Sequence, residues 1–157
     1  MIRRVRIQDA ADIVAIYNRY IAETTVTFEI EPISVCEMQK RISDIASSFP
    51  YFVYEDEGRV AGYAYVHRWK ERAAYAHTLE TTVYLNPDIR HSGIGTALMQ
   101  HIINECRTQG YKVLIACITA ENRDSLEFHR HLGFTQASLF HNVGEKFGRF
   151  DGTDVYT

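Results

Sequence analysis

The sequence predicts an α/β fold with a single mixed central sheet flanked by helices. Stretches with an apolar spacing near 3.6 alternate along the chain with short β-branched and aromatic runs. Three of those runs follow one another, two of them across a tight turn, as antiparallel strands do. KVLIACI is a continuous apolar run of the kind a buried strand shows. The resulting order, β, α, α, three antiparallel strands, α, β, α, β, is that of a mixed sheet with helices packed on it. At 157 residues the chain is expected to form one domain over 1–157.

Residues 2–7 read as a first strand. From Asp9 onward Ile13, Ile16, Tyr17, Tyr20 and Ile21 fall on one helical face. TTVTFEIEP is extended and closes on Pro32, after which Ser34 and Glu37 have the spacing of a capping box for a helix to about residue 46. YFVYED and RVAGYAYVHRW flank Glu57-Gly58 as a hairpin, and a longer strand is expected over 76–85. A helix over 93–109 stops at Gly110, a strand follows, and a short helix over 122–132 stops at Gly133. The remaining tail supplies one or two strands.

Composition narrows the function. Lys and Arg number 17 against 20 Asp and Glu, a formal charge of -3, which speaks against nucleic acid as a partner because phosphate binding needs surplus cations. No apolar run approaches the roughly 20 residues of a membrane span, and the N-terminus lacks a signal-peptide core. Cys36, Cys106 and Cys117 are odd in number and lack metal-ligand spacing, so reduced, buried thiols in a cytoplasmic protein without a metal are expected.

The segment Arg90-His91-Ser92-Gly93-Ile94-Gly95 lies between a strand and a helix. Its glycines let backbone approach a ligand, the N–H groups of a helix start attract an anion, and Arg90 adds a charge-assisted contact. A plain Gly-containing turn has the same sequence features. The Lys-Ser/Thr of a P-loop and the third glycine of a dinucleotide fingerprint are both missing, which disfavours ATP and NAD.

TVYLNPDIRHSGIGTALMQHII resembles the acetyl-CoA-binding motif of the GNAT acetyltransferases, and Asn122-Arg-Asp-Ser125 with His129-Arg-His-Leu-Gly133-Phe134 resembles their second motif. NRYIAETTVTFEIEP, RWKERAAY and LETTVYL are similar to the phosphinothricin-type amino-acid N-acetyltransferases, so that the resemblance spans nearly the whole chain. KFGRFDGTDVY departs from the pattern by extra residues.

The resemblance implies a GNAT fold, acetyl-CoA as co-substrate, a small-molecule amine as acceptor and a homodimer. It implies a bulged strand in which backbone at Val83, Tyr84 and Leu85 binds the thioester and pantetheine arm. Glu80 matches the family's glutamate and becomes the general base, whereas by composition alone it is a surface carboxylate. His129 stands where many members carry a thiolate-protonating Tyr, and equally suits a histidine packed between helix and sheet. Asn122 and Ser125 share its helical stripe and suit both cofactor contact and helix initiation. Phe28, Lys70, Arg72 and Tyr75, with Trp69, are the substrate-pocket candidates, Arg72 foremost for a substrate carboxylate. The expected reaction moves acetyl to the α-amine of a small amino acid or analogue by direct attack in a ternary complex. The alternatives are another small amine or a protein N-terminus as acceptor, or a non-catalytic acetyl-CoA-binding module.

Overall fold

A computed structural model describes residues 1–89 and 93–157. Its strands are β1 (Ile2–Arg4), β2 (Tyr51–Asp56), β3 (Arg59–Arg68), β4 (Thr78–Leu85), β5 (Val113–Thr119), β6 (Gln136–Lys146) and β7 (Arg149–Tyr156). Its helices are α1 (Ala10–Glu23), α2 (Val35–Ala46), α3 (Ile94–Thr108) and α4 (Arg123–His131). The strands form one mixed sheet in the order β1-β2-β3-β4-β5-β7-β6, antiparallel except for β4 beside β5. The expected mixed sheet with flanking helices is therefore what the chain forms.

Local chemistry explains where most elements begin and end. Ser34 Oγ accepts from the Glu37 N–H at 3.0 Å and starts α2. The reciprocal half of the capping box is replaced, because Glu37 turns to Arg41 instead. β1 is shorter than expected. Arg3 grips Asp9 with two bonds of 2.8 Å, and Asp9 accepts the Arg6 N–H at 2.7 Å, which bends 7–9 into a 3-10 turn ahead of α1. The tail makes both strands, a hairpin turned at Phe147 and Gly148, each with positive φ.

The sheet has two unlike faces. On one, α3 and α4 enclose Ala64, Val66, Leu79, Leu98, Met99, Ile102, Ile118 and Leu126, an apolar cluster that crosses from β3 to β5. On the other, α1 and α2 cover Ile13, Ile21, Ile42, Val53 and a run of tyrosines. Among the described residues no helix is long and apolar enough to cross a membrane.

Only Cys106 is a buried thiol; Cys36 and Cys117 are exposed, contrary to the expectation of three buried cysteines. Cys36 lies in the solvated first turn of α2. Cys117 lies beyond the point where β5 leaves β4, so strand hydrophobicity alone does not bury it.

Candidate active site

β4 and β5 pair only at Thr78↔Val113, Leu79↔Leu114 and Glu80↔Ile115, although β4 runs on to Leu85 and β5 to Thr119. The strands therefore part after Glu80. On the other side of β4, the Trp69 N–H reaches the Thr78 carbonyl at 3.5 Å and the Asn86 N–H reaches the Ala61 carbonyl at 2.8 Å. Even-numbered residues of β4 thus direct their backbone to β3, and alternation turns that of Val83 and Leu85 into the parting. The register with β3 is unbroken from Gly62↔Leu85 to Arg68↔Leu79. The expected bulge is absent: divergence of β5, not an extra residue in β4, exposes this backbone.

Glu80, Thr82 and Tyr84 share the α1/α2 face. Tyr84 packs against Tyr17, Tyr20 and Tyr63. Glu80 is half-buried between two neighbours. His67 of β3 lies directly opposite it, with Nε2 3.2 Å from Oε2. On the β5 side Cys117 is the neighbour, its thiol under the influence of the Glu80 carboxylate. Surrounding protein atoms and the adjacent carboxylate raise that thiol to about 12, so it stays protonated at neutral pH.

The α1–α2 connection, 24–34, is fastened from several sides. Thr119 Oγ1 donates to the Thr25 carbonyl at 2.7 Å, and Lys146 Nζ to the Thr27 carbonyl at 2.9 Å. Tyr17 bonds to Thr27 and Glu29. Arg41 holds Glu29 through bonds of 2.6 and 3.0 Å, which keeps that carboxyl below the usual range. Phe28 lies on this connection with its ring over Gly144, in the space a Cβ there would need.

At the far end of β4, Gly93 caps α3 with φ 72°, a left-handed conformation that disfavours any side chain, and Ile94 and Gly95 are buried in the first turn. Arg90, His91 and Ser92, the remaining residues of this expected anion loop, lie outside the described residues. About 17 Å of strand separates Glu80 from Leu85 at roughly 3.3 Å per residue, so the carboxylate and the Gly93 cap lie towards opposite ends of β4.

In α4, Asn122 Oδ1 caps the helix by accepting the Ser125 N–H at 3.3 Å. His129 is buried, its Nδ1 2.7 Å from the Ser125 carbonyl and its ring edge-on to Phe128 and Phe134. A carbonyl only accepts, so Nδ1 carries the hydrogen; burial lowers the affinity of the ring for a second proton.

Lys70, Arg72 and Tyr75 are exposed on the β3–β4 connection, Lys70 over the Trp69 ring at 5.3 Å. Among the described residues none of the three is joined to Glu80 by a hydrogen bond, ion pair or ring contact. The structure thus gathers Glu80, Val83, Tyr84 and Leu85 along one strand and places Arg72 beyond its start. It also adds His67, Cys117 and the Glu29–Arg41 pair, which sequence reasoning missed. Tyr63, Tyr65 and His67 alternate with period two, a signal that puts His67 on the face of its cross-strand partner.

A family model described as "Acetyltransferase (GNAT) domain" matches residues 2–152. The chain belongs to the GNAT acetyltransferase family. Among its curated GNAT relatives, a phosphinothricin N-acetyltransferase of Alcaligenes faecalis is 37% identical over 154 residues, covering 97% of this chain and 78% of the relative. An L-methionine sulfoximine/L-methionine sulfone acetyltransferase of Pseudomonas aeruginosa is 34% identical over 151 residues, covering 95% and 88%. The crystal structure of a GNAT phosphinothricin acetyltransferase of Sinorhizobium meliloti in complex with AcCoA superimposes with a TM-score of 0.95 at 35% identity, covering 99% of this chain and 85% of that one.

Proposed function

We propose that the chain transfers the acetyl group of acetyl-CoA to the α-amine of a small amino acid or analogue, of the phosphinothricin, methionine sulfoximine or methionine sulfone type. The observation that carries this reading is a half-buried Glu80 carboxylate standing where β4 and β5 part, with backbone N–H groups of Val83 and Leu85 lining the same opening. Amine, thioester carbonyl and base meet there. Glu80 takes a proton from the ammonium, through a water where the nitrogen stands off. The backbone of Val83 to Leu85 holds the thioester and pantetheine arm, and an N–H aimed at the carbonyl oxygen stabilises the charge that develops on it. Arg90 to Gly95 hold the pyrophosphate at the α3 start.

For His129 the geometry favours packing. With its hydrogen on Nδ1 and its charge suppressed by burial, the ring has no proton on Nε2 to give a thiolate. Asn122 and Ser125 act first as helix-start residues.

Arg41 is committed to Glu29, whereas Arg72 has no side-chain partner among the described residues. This supports Arg72, seconded by Lys70, as the anchor of the substrate carboxylate, with Phe28 and Tyr75 as walls. A homodimer in the cytoplasm completes the reading. Support for the dimer comes from Phe140, Val143, Phe147 and Phe150, all more than half exposed on the β6–β7 hairpin at the sheet edge. Light scattering behind a sizing column reads the dimer directly.

The test of function is thiol release from acetyl-CoA with methionine sulfone, its carboxamide and a simple alkylamine. Methionine sulfone is expected to be preferred. Arg72→Ala should lower kcat/KM for the carboxylate substrate roughly tenfold to a hundredfold and spare the carboxamide, the cost of one charge-assisted contact. Preference for the alkylamine overturns the amino-acid assignment. Equal loss for both amino-acid compounds moves Arg72 out of the pocket.

A further inference from the structure

We propose that His67 is the proton relay of Glu80, taking from the carboxyl the proton that the amine gives up and delivering it to solvent. The inference rests on the acetyltransferase reading above.

His67 and Glu80 are directly opposed in the β3–β4 register, on the same face of the sheet. His67 Nδ1 lies 3.0 Å from the Arg68 carbonyl, and Nε2 lies 3.2 Å from Glu80 Oε2. Because a carbonyl only accepts, Nδ1 keeps its hydrogen throughout. Nε2 then faces a carboxylate oxygen with a lone pair, and the contact is satisfied when one proton lies between them. The pair is thus built to hold one proton as a unit.

The other groups around Glu80 do not compete for that proton. Cys117, on the β5 side, has a thiol raised to about 12 by surrounding protein atoms and the Glu80 carboxylate, so it keeps its own proton. Tyr65, whose ring is 6.0 Å from His67, is a phenol raised by burial and keeps its proton. His67 is also the more open of the pair, with 36% of its side chain exposed against 24% for Glu80, so the relay runs outward.

The cycle starts once the pair has given its shared proton to water, leaving Glu80 a carboxylate and His67 neutral. The substrate ammonium gives one proton to Glu80, and the nitrogen lone pair attacks the thioester carbon. The N–C bond forms and the C–S bond breaks. A second nitrogen proton is lost as the amide forms, and the CoA thiolate takes up one proton. The first proton passes from Glu80 Oε2 to His67 Nε2 and from there to water. One acetyl group moves and one net proton is released, with the carboxylate and the neutral imidazole restored.

The decisive experiment is steady-state turnover of methionine sulfone by His67→Ala and His67→Gln, with and without added imidazoles of graded basicity. His67→Ala should lose about tenfold or more in kcat, short of the roughly hundredfold typical of a group that contacts the substrate, with little change in either KM. Added imidazoles should restore the rate in proportion to their basicity. His67→Gln keeps a donor for Oε2 but carries no proton, so it should stay slow and resist rescue. Glu80→Gln combined with His67→Ala should be no slower than Glu80→Gln alone, since the relay acts only through Glu80.

A His67→Ala rate within about twofold of wild type overturns the proposal, and so does full activity in His67→Gln, which would make the role one of orientation. If wild type ignores methionine sulfone but acetylates another amine of the panel, only the substrate assignment fails, and the variants are run on that amine. Absence of turnover with every amine overturns relay and enzyme together. Independently of substrate, 15N NMR of labelled histidine should find hydrogen on Nδ1 of His67 in wild type; a ring protonated on Nε2 alone refutes the geometry.

Discussion

The two faces of the sheet solve different problems with the same strands. Beneath α3 and α4 the side chains are aliphatic and close-packed, with Leu98, Met99 and Ile102 wholly excluded from solvent. Beneath α1 and α2 an apolar floor of Ile13, Ile21, Ile42 and Val53 is joined by polar groups: Tyr17, Tyr63, Tyr65 and Tyr84 crowd together, and Thr27, Glu29, Glu80 and Arg41 interleave with them. The apolar face is continuous across the boundary between β4 and β5, where the polar face is interrupted. The polar site groups are therefore gathered on one side, and substitutions in the α3/α4 cluster or at those groups should each report on one property with little effect on the other.

Leu98→Ala should produce the largest effect, about 3 kcal/mol of lost stability from a buried leucine, while the rate per folded molecule stays near wild type. Thermal or denaturant unfolding alongside turnover checks both halves. A comparable loss of kcat would show that the apolar face also tunes the site.

Glu80→Gln reverses the pattern. It should lower turnover on the order of 100-fold at neutral pH while shifting stability by only about 0.5 kcal/mol, because the carboxylate is half-exposed. The deficit should narrow at high pH, where the amine arrives already neutral. Wild-type turnover in this variant removes Glu80 from the mechanism.

His129 sharpens the comparison through pH. Its proton affinity is lowered by burial in the folded state, so the unfolded chain binds the extra proton first as pH falls below about 6.5. The stability associated with a neutral His129 is full above that value and declines below it. Glu29, lowered by Arg41, adds a second decline below its unfolded value near 4.5. Melting temperatures of wild type and His129→Asn between pH 7.5 and 5 should converge on acidification; parallel curves would show that His129 is not the group responsible.

Arg41→Ala should be the mildest change, about 1 kcal/mol or less for a partly exposed pair. Because Glu29 and Phe28 belong to the same connection, its clearer mark should be a higher KM for the amino acid with acetyl-CoA affinity unchanged. An effect on acetyl-CoA instead would assign the 24–34 connection to the cofactor and not to the amino acid.

What the sequence made legible follows the range of the forces involved. α2 with its Ser34 cap, the β2–β3 hairpin and the stop of α3 at Gly110 are set by neighbours a few residues away, and each was readable. Glu80 was readable as a site residue through resemblance to relatives, and its face followed from strand alternation. The end of β1 was not readable, because the Arg3–Asp9 grip that bends the chain is made only once both side chains are placed. The exposure of Cys117 depends on where two strands separated by α3 cease to pair. The partnership of His67 with Glu80 needs the register of β3 on β4, and the commitment of Arg41 to Glu29 needs α2 to lie against the preceding connection.

The short seam between β4 and β5 also governs how the molecule breathes. Three parallel pairs make a weak join, and α3, which follows β4 in the chain, lies back across β2, β3 and β4. The two halves of the sheet are joined by these pairs and by the apolar side chains that cross from β3 to β5 beneath them. Amide hydrogens at 79–81 and 113–115 should therefore exchange with solvent together, through openings that leave the β2–β3 ladder intact. Loosening that apolar cluster with Leu98→Ala should speed exchange at the seam before anywhere else in the sheet, and a ligand wedged between the halves should slow it on both sides at once.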